Sequence, residues 1–117
     1  MPNTMISDFK PAELDIEIVK GDFWVESFAL TLNSSPIVLS SAAVLIEVTQ
    51  GCSTTVLFSA SVANGITISG AGNNVINVSK LVNLDAGNYE YTLTVTYSTG
   101  VVKTYLWGKF IVYLDIP

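Results

Sequence analysis

Six carboxylates lie close together near the N-terminus, and hard cations such as calcium are bound by several oxygen ligands of this kind. They are Asp8, Glu13, Asp15, Glu17, Asp22 and Glu26. Asp15 and Glu17 are two positions apart, so an extended strand would place both on one face. The same spacing is typical of a solvated edge strand whose charges prevent pairing with the wrong chain. We favour the solvated edge and expect no metal site.

A second candidate site is the glycine-rich segment Gly70-Ala71-Gly72-Asn73-Asn74. Glycine-rich loops can bind phosphate through backbone N–H groups, but here the lysine and helix of a phosphate-binding loop do not follow. The segment is instead predicted to be a hairpin loop between Ile68 and Val75. We therefore expect no cofactor.

Aromatic residues near the C-terminus could hold a sugar ring, because the faces of aromatic rings stack on sugars. Interfaces between proteins are also enriched in Tyr and Trp. We favour packing in the core or at an interface over sugar binding. The residues predicted to meet a partner are Tyr105, Trp107, Ile111 and Tyr113.

The composition argues against catalysis and against nucleic acid. The chain of 117 residues has ten carboxylates, five lysines, no histidine and a net charge of −5. Without histidine, no side chain has an ordinary pKa near neutrality for general acid or base catalysis. A chain of this charge also repels a polyanion. We therefore expect a non-enzymatic protein that binds no nucleic acid.

The number of cysteines and the hydropathy of the chain indicate the cellular compartment in which it is made. Cys52 is the only cysteine, so no disulfide can form within the chain. Met1 to Lys10 has neither the basic start nor the apolar run of a signal peptide. No segment approaches the roughly 20 apolar residues of a membrane span. We therefore expect synthesis in a reducing cytoplasm and no membrane partner.

The periodicity along the chain predicts an all-β protein. Turn residues recur at intervals of roughly 8 to 12 residues between short alternating segments, which is typical of a β-sandwich. Residues 1–13 contain two prolines and no periodicity, so we predict an extended N-terminal arm followed by one domain over 14–117. One helical turn is expected over Ser79 to Ala86, where Ser79 or Asn83 could cap it.

The segment Asp85-Ala86-Gly87-Asn88-Tyr89 precedes a strand that alternates strictly. One face of that strand is predicted to be buried and comprises Tyr89, Tyr91, Leu93, Val95 and Tyr97. A tyrosine at the start of such a strand matches the tyrosine corner, here Asp85, Gly87 and Tyr89, whose hydroxyl bonds to the backbone of the turn. The sequence thus predicts an immunoglobulin-like antiparallel β-sandwich of seven to nine strands without a disulfide.

The last strand, Val101 to Leu114, carries large apolar residues on both faces. The face predicted to fill the core comprises Val102, Leu106, Phe110 and Val112. The opposite face comprises Lys103, Tyr105, Trp107, Lys109, Ile111 and Tyr113. A strand with one solvent-exposed face does not need large apolar residues on that face. We therefore expect a partner to cover this face, with Trp107 as the anchor. A bulge at Gly108 that turns Trp107 into the core is the alternative.

Several motifs resemble the small immunoglobulin-like modules of tailed-phage virions. They are Ile18-Val19-Lys20-Gly21-Asp22, Phe28-Ala29-Leu30-Thr31-Leu32, Pro36 to Ala42, Leu84 to Tyr91, and Gly108-Lys109-Phe110-Ile111-Val112. The resemblance runs from about Leu14 to Leu114. It implies a structural protein of the virion, a capsid auxiliary or a baseplate or fibre attachment module. Its partners would be other virion proteins of the capsid or tail, or copies of itself.

A free-standing immunoglobulin-like module that binds a carbohydrate or a protein ligand remains the alternative. The irregular arm favours the assembly protein, because such a segment can become ordered on a neighbouring protein.

Overall fold

The computed structural model describes residues 4–7, 12–32, 35–51 and 54–114. These residues form eleven β segments and no helix, hence no helix that could cross a membrane. The segments are β1 (Thr4–Ser7), β2 (Ala12–Glu13), β3 (Ile16–Val19), β4 (Phe23–Leu32), β5 (Ser35–Pro36), β6 (Ala43–Thr49), β7 (Phe58–Val62), β8 (Gly65–Ser69), β9 (Val75–Leu81), β10 (Gly87–Thr96) and β11 (Val102–Tyr113). Only β2 and β5 are as short as two residues, and the nine longer strands of the described ranges agree with the predicted number.

The strands are arranged in two layers. In one layer β4, β9 and β8 pair antiparallel, and in the other β7, β6, β10 and β11 do so. The two are joined where β7 and β8 pair over two residues. In the order of hydrogen-bonded strands, β10 is the fifth strand from β4. Trp24 of β4 nonetheless packs against Tyr91 of β10. That contact requires the sheet to fold back on itself, so the protein is an immunoglobulin-like β-sandwich, as predicted.

The core lies between the layers and is filled by alternate residues of the long strands, as their period of two requires. The fully buried members with the largest side chains are Tyr91, Tyr105, Phe28, Phe110, Leu30, Leu39, Ile46, Ile66, Ile76, Leu93 and Leu106. The predicted inward face of β10 is therefore confirmed for Tyr89, Tyr91, Leu93 and Val95.

Aromatic rings connect the two layers in place of a disulfide. The Trp24 ring meets Tyr91 edge-on at 6.0 Å and Phe110 at 5.1 Å, measured between ring centroids. Tyr91 lies two residues after Tyr89, the position of the second cysteine in disulfide-bonded immunoglobulin domains. Edge-on aromatic pairs add about 0.5–1.5 kcal/mol to the burial of their area. The cluster thus stabilises the packing of one layer on the other.

The tyrosine corner is present. The hydroxyl of Tyr89, a buried residue, donates to the backbone carbonyl of Asp85 at 2.7 Å. The Asp85 carboxylate accepts a hydrogen bond from Lys20 at 2.9 Å, and this bond together with the lysine charge lowers the pKa of Asp85. Gly87 opens β10 immediately after the corner. The corner therefore fixes the path of the chain into the central strand.

Replacing Tyr89 by Phe should lower the free energy of unfolding by about 1 kcal/mol, the typical net value of one hydrogen bond, without changing the fold. Chemical denaturation measures the difference. Tyr113→Phe is the matched control, because the Tyr113 hydroxyl bonds to Glu17 at an exposed site and its loss should cost less. Equal stability of Tyr89→Phe and the parent chain would remove the corner from the list of stabilising features.

The prediction of a helical turn over Ser79 to Ala86 is wrong. The chain continues in β9 to Leu81 and stays non-helical to the corner. Val82 and Leu84 are buried while Asn83 between them is exposed, an alternation that a helix could not provide. A backbone hydrogen bond from the Val82 N–H to the carbonyl of Asp22 also holds this path, at 3.0 Å. The burial of Val82 and Leu84 and the pairing of β9 thus outweigh the tendency of Ser79 or Asn83 to cap a helix.

The described parts of the predicted arm are extended, and both pair with edge strands. Thr4–Ser7 lies parallel to β4, from the pair Thr4 and Phe28 onward. Ala12–Glu13 lies parallel to β11. The arm therefore adds one short strand to each layer.

Candidate docking face

The outer face of β6, β10 and β11 carries two rows of cross-strand partners, and directly paired residues point to the same side of a sheet. One row comprises Glu47, Thr92 and Trp107, and the other comprises Thr49, Glu90 and Lys109. We call this surface of six side chains the Trp107 face. Trp107 is its only aromatic residue and is 44% exposed.

The backbone on either side of Trp107 is held by the segment between β2 and β3. The Trp107 carbonyl accepts a hydrogen bond from the Leu14 N–H at 2.9 Å. Two residues on, the Lys109 N–H donates to the carboxylate of Asp15 at 3.0 Å. Since a rigid anchor loses little conformational freedom on binding, this support favours Trp107 as a contact residue.

Leu14 can approach so closely because residue 108 is glycine. A Cβ at Gly108 would lie 2.2 Å from the carbonyl oxygen of Leu14. That oxygen accepts a hydrogen bond from the Tyr91 hydroxyl at 2.5 Å. Burial, and secondarily the charges of Asp15 and Glu26, raise the pKa of Tyr91 well above its ordinary value. The hydroxyl therefore keeps its proton and remains a donor.

A β-bulge changes the phase of β11. The register of β10 shifts between Leu93 and Thr94, and Tyr105 is the extra residue of β11 at that point. As a result, Tyr105 and Leu106 are both buried although they are adjacent in sequence. The Tyr105 hydroxyl forms a hydrogen bond with that of Tyr97. The prediction that Tyr105 lies on the partner-facing side is therefore wrong.

Because of the same bulge, the prediction that Val102 fills the core is wrong. This residue precedes the bulge, points away from the core and is 60% exposed. Because the bulge lies at Tyr105 and not at Gly108, Trp107 stays on the outer face, as the main prediction required. Leu106, Phe110 and Val112 fill the core as predicted.

The other two predicted partner residues continue the outer face toward the end of β11. Ile111 and Tyr113 are both half-buried, beside β3. The Tyr113 hydroxyl donates to Glu17, and this bond raises the pKa of Tyr113. Three of the four predicted partner residues thus share one side of β11, while the partner itself stays a prediction.

A groove of about 290 Å³ lies on the Trp107 face. Its lining includes Glu47, Glu90 and Trp107. Thr54 and Val56, from the segment before β7, also line it. The face is therefore concave around Trp107, and both polar and apolar side chains line it.

The carboxylates of this region form no ion pair in the part of the chain that the structure describes, although Lys109 lies directly across from Glu90. Glu47 and Glu90 lie in the groove, and Glu13 of β2 is paired with Trp107 on the opposite flank. The ion pair found among the described residues, Lys20 with Asp85, does not involve them. The surroundings of the tryptophan thus carry three carboxylates without an ion pair and one lysine.

The described carboxylates near the N-terminus do not form one cluster. Within the described ranges no three Asp, Glu, His or Cys side chains are close enough together to hold a metal ion. Asp15 and Glu17 instead accept the hydrogen bonds from Lys109 and Tyr113 given above. Asp8 and Cys52 lie outside the described residues. Gly70 to Asn74 is the predicted loop between β8 and β9.

The structure also exposes an apolar patch that sequence reasoning missed, on the outer face of the other layer. Phe23, Val25 and Leu81 are 61%, 59% and 46% exposed. Phe23 is directly opposite Leu81 in the pairing of β4 with β9. The alternation of β4 around Trp24 could have placed Phe23 and Val25 outward, but Leu81 fell within the expected helical turn.

No family model matches the chain, and no curated protein matches it. Among solved structures, it is similar to the crystal structure of the ZIG-8 IG1 homodimer, with 13% sequence identity and a TM-score of 0.35. The similarity covers 88% of this chain and 83% of that one. A likeness of this degree carries no argument about function or assembly.

Proposed function

We propose that this protein is a non-enzymatic structural module that docks on a neighbouring protein through the Trp107 face. The observation that carries the proposal is a large aromatic side chain, 44% exposed, fixed on a central part of β11 and set in a groove. Tryptophan is, with tyrosine and arginine, enriched among the interface positions that dominate binding energy. Interfaces place such residues in pockets surrounded by contacts that exclude water.

The proposed setting is a phage particle, in which the chain would be a capsid auxiliary or an attachment module of the tail. The resemblance of its motifs to modules of tailed-phage virions supports this setting. The neighbours would then be virion proteins or further copies of the chain, assembled after synthesis in the host cytoplasm. The non-enzymatic role is supported by the lack of histidine in the whole sequence.

A ligand-binding module is the second candidate, and the observation that favours it is the mixed lining of the groove. Trp107 could stack on a sugar ring while Glu47, Glu90 and Thr92 accept or donate hydrogen bonds. Binding of a panel of free sugars with a response at Trp107 would favour this candidate over docking.

Trp107→Ala should weaken docking by about 2 kcal/mol or more, roughly 30-fold in affinity, because the anchor of the face is lost. The isolated domain should stay folded, since Trp107 lies outside the core. The measurement is co-purification of the tagged chain with the assembly of the organism or virus that encodes it. Circular dichroism and chemical denaturation of the purified variant report its folding.

Phe23→Ala is the matched control, an exposed aromatic residue of the other layer whose loss should leave docking intact. Normal assembly of folded Trp107→Ala would overturn the proposal. A Trp107→Ala chain that unfolds would instead assign this tryptophan to the core.

A further inference from the structure

We infer that the partner presents a cationic side chain, lysine or arginine, which sits over the Trp107 ring and between the carboxylates of Glu47 and Glu90. This inference rests on the proposed docking function and names the chemistry of the surface that fits the face.

The first support is the placement of the charges around the ring. Neighbouring strands lie roughly 4.8 Å apart, so Glu47, two strands from Trp107 in the same row, is roughly 10 Å away at the backbone. Glu90 lies on the diagonal from Trp107, and such neighbours are roughly 7–8 Å apart. Both residues line the same groove as Trp107. A cation over the ring would therefore be within reach of both carboxylates.

The second support is the sign of the local charge. Glu13, Glu47 and Glu90 carry three negative charges, and Lys109 carries one positive charge, which leaves −2 on this part of the surface. None of the three carboxylates has a hydrogen bond or ion pair with another described residue. Tryptophan is also the ring that attracts cations most strongly, through its negative face.

An apolar or acidic partner fits the face less well. Covering Glu47 and Glu90 with an apolar surface would remove two unpaired charges from water, which costs free energy without compensation. An acidic surface would add repulsion between like charges. A basic segment avoids both costs, and electrostatic attraction also accelerates its encounter with an acidic chain.

The test uses short peptides as probes and records the indole N–H resonances of the isotope-labelled chain by NMR. Hexalysine and hexaarginine should cause a saturable shift at Trp107, and the buried Trp24 serves as an internal reference that should not move. Hexaglutamate and a Gly-Ser peptide of equal length should cause no shift at Trp107. Raising the salt concentration should weaken binding of the basic peptides.

Two double variants with the same change in net charge separate a built site from general attraction. Glu47→Gln with Glu90→Gln should weaken hexalysine binding about tenfold, as expected for the loss of close charge partners. Asp22→Asn with Glu26→Gln, in a separate groove between β3 and β4, should change it less than about twofold.

Equal weakening in both double variants, or no shift at Trp107 with either basic peptide, would overturn the inference. The docking proposal and the inference of a cationic partner can be contradicted independently. If Trp107→Ala abolishes assembly although basic peptides do not bind, the face docks a partner of other chemistry. If folded Trp107→Ala assembles normally, docking through this face is itself wrong.

Discussion

Trp24→Ala is expected to lower the free energy of unfolding by about 3–5 kcal/mol, the usual range for removing a buried tryptophan. Trp24 is 2% exposed and contacts Tyr91 and Phe110 in the opposite layer. Truncation therefore leaves a cavity where aromatic packing replaces a disulfide between the layers. Denaturation of the purified variant in urea measures the loss.

Trp24→Phe is the control for this change. It keeps an aromatic ring, and it removes the indole Nε1, which is buried and has no hydrogen-bond partner among the described residues. Because Phe is smaller than Trp but larger than Ala, a smaller cavity remains, and we expect a cost of about 2 kcal/mol. A loss below about 1 kcal/mol for Trp24→Ala would show that the layers do not depend on this cluster.

Gly108→Ala should destabilise the domain by about 3 kcal/mol, the upper part of the range for overpacking. The new Cβ would lie 2.2 Å from the oxygen and 2.8 Å from the carbon of the Leu14 carbonyl, both backbone atoms. Relief of this steric overlap requires the segment before β3 to move away from β11. That movement would break the bond from the Tyr91 hydroxyl and detach β3 from β11.

Gly87→Ala provides the matched control, because its Cβ would meet no atom closer than 3.6 Å. Hydrogen exchange should show loss of protection in β3 for Gly108→Ala and none for Gly87→Ala. A Gly108→Ala chain as stable as the parent would contradict the close crossing of Leu14 over β11.

The fold could be predicted largely because its determinants are local. Alternation with a period of two marks the buried faces of β4, β6 and β10 directly in the sequence. The tyrosine corner is equally local, since Tyr89 bonds to a residue only four positions earlier. Features that depend on a few neighbouring residues thus appear in the sequence without knowledge of the pairing.

The features that were missed depend on residues far apart in the chain. The bulge that buries Tyr105 is set by the register of β11 against β10, which periodicity in one strand does not reveal. The path from Ser79 to the corner depends on burial of Val82 against the sheets and on its hydrogen bond to Asp22. The crossing of Leu14 over Gly108 joins segments nearly the whole chain apart.

The candidate site was predicted in part for the same reason. Trp107, Ile111 and Tyr113 share a face because they alternate within one strand. Their acidic neighbours Glu47 and Glu90 come from other strands, so only the pairing of β6, β10 and β11 brings them to the groove. The chemistry of the proposed partner therefore could not be inferred from the sequence.

Site-specific photo-crosslinking tests docking through the Trp107 face most directly. A photo-reactive phenylalanine analogue in place of Thr92 would lie between Glu47 and Trp107, and one in place of Ser79 would lie on the outer face of the other layer. Irradiation of the native assembly should join the chain to its neighbour from position 92 and not from position 79. Crosslinks from position 79 alone, with none from position 92, would contradict docking through this face.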